Sequence, residues 1–119
     1  MRVLLVCCKK EPRIVNVPHE LAELQRLVGG MIEVVEPFND DIALVCNENG
    51  RSDGKPVNRI INDQMDICGD FFLCRYGETG LEEMPEEKVF KYASMFSLSN
   101  NDNHPQRLTT SKPWYEILH

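Results

Sequence analysis

Histidine and tryptophan are scarce in this chain, and paired cysteines and long apolar runs are missing. The three histidines, His19, His104 and His119, are far apart, and the sequence has neither a C-x-x-C nor an H-x-x-x-H pair. Zinc sites draw their ligands from such short spacings, so no metal site and no cofactor is expected. The patterns G-x-S-x-G, G-x-G-x-x-G and the P-loop are also absent, which removes the usual nucleophile elbow and phosphate cradles. No run reaches the 18 or more apolar residues of a membrane span. The N-terminal run Val3-Leu4-Leu5-Val6-Cys7-Cys8 is shorter than a signal-peptide core and is followed by Lys9-Lys10. The expected location is therefore the cytoplasm, the host's if the gene belongs to a phage. Positive charge is the minority: 13 Lys and Arg stand against 19 Asp and Glu, a net charge of −6 with a pI near 5.0. General binding to nucleic-acid backbones needs the opposite balance.

What is present suits one small domain. A chain of 119 residues with 42% hydrophobic and 27% charged residues can bury a single core. Five cysteines, an odd number, point to free thiols that behave as small buried hydrophobes. Apolar runs predict strands over 3–8, 13–17, 31–35, 42–46 and 71–76, the first two forming a hairpin across Pro12. Pro18 is placed to open a helix over 18–28, with Leu21, Leu24, Leu27 and Val28 on one stripe. Gly29-Gly30 closes that helix and so is no phosphate loop, because anion sites use helix N-termini. Pro85 opens a second helix over 85–96. Residues 47–58 are rich in turn formers and predict a loop, and Arg59-Ile60-Ile61 fits either one helical turn or a strand fragment. The expected fold is α+β: a mixed, mostly antiparallel sheet of about five strands packed against two helices. The domain spans 1–96, followed over 97–119 by a polar linker and a tail holding an aromatic segment.

Three groups of residues are candidates for function. The long loop leaves a buried strand, and such loops carry binding residues disproportionately. Within it Asn47, Glu48, Asn58 and Arg59 are expected to converge on a small polar ligand or a partner. The alternative is that the asparagines satisfy turn backbone and Arg59 pairs with Glu48. Glu78, Glu82, Glu83, Glu86 and Glu87 form an acidic patch, either a solvated face or a dock for a basic protein surface. Trp114 and Tyr115 either pack on the domain or dock on a partner or a second copy, as in a homodimer. Nothing in the sequence places a His or Lys so as to activate a cysteine, so no catalytic residue is assigned.

Leu24-Gln25, Val28-Gly29-Gly30 and Ile32-Glu33 together resemble the LQ-x-x-VGG-x-IE signature of the DUF3846 family. The likeness continues through Asp41 to Glu48 with Gly50, then Gly54-x-Pro56-x-Asn58-Arg59, and ends near Gly69-Asp70-Phe71-Phe72-Leu73, where Asp70 replaces the family's threonine. It covers residues 1–96. The resemblance implies kinship with proteins of phages, plasmids and their bacterial hosts, and it carries no activity. With small size and acidic charge, it leads to the expectation of a non-enzymatic accessory protein. Its expected partner is a host protein, a defence effector such as a CRISPR nuclease, which it inhibits by direct binding. The alternative expectation is a small-ligand or nucleotide-sequestering protein using the 47–59 loop.

Overall fold

The computed structural model describes residues 1–61 and 63–99 of the chain. Strand β1 (Arg2–Val6) is apolar on both faces and lies inside the sheet, as such a run must. It pairs antiparallel with β2 (Arg13–Asn16), Leu4 opposite Ile14, which is the expected hairpin. On its other side it meets β7 (Phe71–Gly77), and β7 meets β4 (Ile42–Asn47). Strand β3 (Ile32–Val35) closes the far edge, giving the order β2-β1-β7-β4-β3. Short β8 (Gly80–Glu82) folds back on β7 across a tight turn. A second, two-stranded sheet joins β5 (Val57–Ile61) and β6 (Met65–Cys68). Among the described residues every pairing is antiparallel, and with α1 (Leu21–Val28) and α2 (Glu86–Met95) the fold is α+β.

Each face of the main sheet has its own apolar cluster. Val3, Leu5, Val45, Phe72 and Cys74 pack beneath Leu24 and Val28 of α1. Leu4, Val6, Leu44, Phe71 and Leu73 point the other way, toward Tyr92, Met95 and Phe96 at the end of α2. Phe38 wedges between them, its ring edge-on to Tyr92 at 5.0 Å, while Phe71 meets Phe96 edge-on at 5.4 Å. Ile61 and Ile67 bring the β5–β6 hairpin onto this same face.

Several elements differ from the sequence reading. Arg59-Ile60-Ile61 is strand, and Asn47 and Asn58 belong to β4 and β5, so the predicted loop is shorter than 47–58. Strands β6 and β8 were not anticipated; each has four residues or fewer, too few to show a period. Helix α1 begins at Leu21, with Glu20 extended before it, and not at Pro18. Leu21 lies on the stripe by angle but at the helix's open end, and it stays 58% exposed. All five cysteines are free thiols. Among the described residues no helix is long and apolar enough to cross a membrane. The linker beyond residue 99, with Trp114 and Tyr115, lies outside the described residues.

Candidate functional site

Asn58 and Arg59 are neighbours in sequence, yet both are buried, Arg59 to 1% exposure. Consecutive strand residues normally face opposite ways. Here the β5–β6 register shifts between Val57 and Arg59, and a bulge of that kind lets two successive side chains turn the same way. Every guanidinium N–H of Arg59 has an acceptor. Nε and Nη2 donate to the Phe96 carbonyl at 3.2 and 2.8 Å. Nη2 also donates to the Lys10 carbonyl at 3.0 Å. Nη1 donates to the Asn58 carbonyl at 3.1 Å and to Asn58 Oδ1 at 2.7 Å. The Asn58 amide in turn donates to the carbonyls of Val6 at 2.8 Å and Gly69 at 3.0 Å. Burial pulls the Arg59 pKa down, Glu11 pulls it back, and a guanidinium stays charged throughout. A buried cation is tolerable here because all its donors are satisfied by oriented dipoles. The pair therefore ties together the β1–β2 turn, the end of β1, the β6–β7 turn and the last turn of α2. Arg59 is bonded to backbone and to Asn58, not to Glu48.

Asn47 is also buried, and it clamps a helix end. Its Nδ2 donates to the Val28 carbonyl at 3.2 Å, and its Oδ1 accepts from the Asn49 amide at 2.7 Å. Gly29 takes the left-handed conformation, φ 77°, that ends α1. Gly30 serves a different purpose: a Cβ there would stand 2.7 Å from Asn47 Nδ2. Of the four loop candidates only Glu48 is exposed. It borders a cavity of about 420 Å³ between β3, the start of the loop and β6. Glu33, Glu48 and Asp66 line it with Cys46 and Met65, and Asp66 is paired with Arg51 at 3.0 Å.

The acidic residues do not act as one patch. Glu83 accepts the Arg2 amide at 2.6 Å and thereby holds β8 to β1. Glu82 accepts the Thr79 hydroxyl at 2.8 Å, and Glu87 lies 3.9 Å from Arg75. Glu78 and Glu86 are exposed. Helical spacing puts Glu86 and Glu87 beside Phe90, four and three residues on. Phe90 is 82% exposed, the most exposed large apolar side chain described. The sequence places it in an apolar stretch, and only the rotation of α2 shows that it faces outward.

An ion cluster that the sequence reading missed fixes that rotation. Asp40 accepts from Lys88 Nζ and from the Tyr92 hydroxyl, both at 2.6 Å. Asp41 accepts from Lys88 at 2.7 Å and from Arg75 at 3.1 Å. Burial disfavours the Asp40 carboxylate, but the hydrogen bonds from Lys88 and Tyr92 outweigh it and hold its pKa well below the usual range. Burial and the Asp40 charge push the Tyr92 hydroxyl strongly upward.

Four of the five thiols are held toward the protonated form. Burial raises Cys46 to about 11 and Cys74 to about 12. Cys7 and Cys8 are raised by burial and by Asp70 beside them. Among the described residues no three His, Cys, Asp or Glu side chains come together as a metal site.

The family model described as "Domain of unknown function (DUF3846)" matches residues 1–97. No curated protein and no solved structure matches the chain.

Proposed function

The chain belongs to the DUF3846 family, and from that premise we propose that it is a non-enzymatic binding protein of a phage or mobile element that inhibits a host defence protein by direct contact. The observation that carries this reading is Phe90, an aromatic anchor standing almost free on the outer face of α2, flanked by Glu86 and Glu87. Aromatic side chains held on a rigid element are favoured interface anchors, and the carboxylates beside it select a basic surface. The raised thiol pKa values and the internal commitment of Asn58 and Arg59 turn the reading away from chemistry at those residues. The test is phage plating on a defended host that expresses the protein, with a pull-down in parallel. Plating efficiency rises, a CRISPR effector or other defence protein is retained stoichiometrically, and Phe90→Ala abolishes both. Unchanged plating with no retained partner overturns the reading.

The cavity beside Asn47 and Glu48 favours a second reading, a small-ligand binder. Three carboxylates on its wall oppose the phosphates of a nucleotide. A ligand that saturates it raises the melting temperature, and a nucleotide panel that leaves melting unchanged removes the nucleotide form of this reading.

A further inference from the structure

Among the described residues β3 is the last strand of the main sheet, and no described strand covers its outer edge. The amide of Glu48 donates to the Met31 carbonyl at 2.8 Å. In the β3–β4 register this makes Met31 and Glu48 a hydrogen-bonded pair, so Glu33 and Val35 also bond inward and Ile32 and Val34 do not. The N–H and C=O groups of Ile32 and Val34 therefore point out of the sheet. Val34 is 37% exposed, and no charge or proline blocks its position. An edge of this kind is a template for another strand.

The face of the sheet beneath that edge is the acidic cavity. Glu33 and Val35 share one face of β3, and both line it. All four residues of β6 line it from the opposite side, and β6 too has one edge that no described strand covers. A strand added to β3 would place the residue opposite Glu33 on the same face, as a close non-hydrogen-bonded pair. Its side chain would enter the cavity, where Glu33, Glu48 and Asp66 outnumber the single guanidinium of Arg51. Val35, Met65 and Ile67 offer apolar surface for an aliphatic stem. Charge also decides between occupants. A second copy pairing β3 with β3 about a two-fold axis brings Glu33 near its own counterpart, which opposes it.

We propose that the open edge of β3 and the adjoining acidic cavity form a site for an extended basic segment of a protein partner, one Lys or Arg side chain seated between Glu33 and Glu48. This goes beyond the Phe90 face and does not depend on it. The recognition mode is strand addition, with main-chain bonds supplying affinity and the cavity supplying selectivity.

The probe is a labelled eight-residue peptide alternating lysine with valine and threonine, compared with its glutamate counterpart. Fluorescence anisotropy reads affinity, and hydrogen exchange of the full chain reads the location. The lysine peptide binds, the glutamate peptide does not, and the amides of Ile32 and Val34 gain protection. Val34→Pro removes one outward N–H without touching the ladder, a substitution tolerated on strand edges, and it abolishes binding. Glu33→Gln with Glu48→Gln keeps the backbone edge and weakens binding about fivefold. The site is overturned if the lysine peptide fails to bind at millimolar concentration, if both peptides bind alike, or if protection falls outside 32–35 and 65–68. Truncation after residue 99 leaves affinity unchanged; a large gain would make the chain's own end the occupant and overturn the assignment to a separate partner. Plating efficiency plays no part here, so this site and the Phe90 reading fail separately.

Discussion

Arg59 holds the backbone carbonyl of Phe96 through two nitrogens, at 2.8 and 3.2 Å. The guanidinium thus completes the last turn of α2, where carbonyls lack helical partners and a cation is favoured by the helix dipole. Arg59→Ala strands the buried carbonyls of Phe96 and Asn58, frees the part-buried Lys10 carbonyl, and should cost about 3 kcal/mol. Arg59→Lys keeps the charge but not the fork and should lose at least half as much. Urea unfolding at neutral pH measures both, and a loss below 1 kcal/mol would show that the clamp is dispensable.

Gly30 and Asn47 should behave as a coupled pair. Gly30→Ala places a Cβ against the Asn47 amide and should cost about 1–2 kcal/mol. Asn47→Ala loses the Val28 bond and leaves its carbonyl bare, a cost of about 1–2 kcal/mol. The double variant removes the clash, so its loss should fall short of the sum by more than about 0.5 kcal/mol. Strict additivity in denaturant melts would contradict the close approach.

The Asp40 cluster predicts two pH limits. Asp40 is depressed in the fold, so its stabilisation is complete above the ordinary carboxylate range and is lost as pH falls below about 4. Tyr92 is raised, so its contribution is complete below about pH 10 and is lost above it. Asp40→Asn should flatten the acid limb of a plot of unfolding midpoint against pH. Tyr92→Phe should lower stability by about 1.5 kcal/mol, since the lost bond is to a charged acceptor. An acid limb unchanged in Asp40→Asn would assign it to other carboxylates.

Cys46 and Cys74 should be slow toward alkylation. With Cys46 near 11 and Cys74 near 12, and both buried, reaction with iodoacetamide at pH 7.4 should run more than about tenfold slower in the native protein than in urea. Mass spectrometry after timed quenching reads each site. Rapid labelling of Cys74 would mean that the sheet opens readily.

Phe90→Ala should leave stability within about 0.5 kcal/mol, because the ring contributes almost nothing to the core. Thermal melting tests this directly. A large loss would place Phe90 in the fold and remove it as a binding anchor.

Patterning alone determined much of this protein. Val3–Val6 and Ile42–Cys46 are apolar at every position, which suits only strands covered on both sides, and they lie inside the sheet. Gly29 ends α1 because glycine alone enters the left-handed region freely. The free thiols and the α+β class followed from the same local rules. Long-range geometry decided the rest. Nothing local distinguishes Asn58-Arg59 as a ligand site from Asn58-Arg59 as an internal clamp, since a bulge in the β5–β6 pairing turns both inward. Phe90 and Tyr92 look alike in sequence, yet Tyr92 is buried on Asp40 while Phe90 faces out, because residues 52 positions apart set the rotation of α2. Periodicity reports which residues share a face; only the folded chain determines which face meets another element, because that choice rests on contacts the local sequence does not contain.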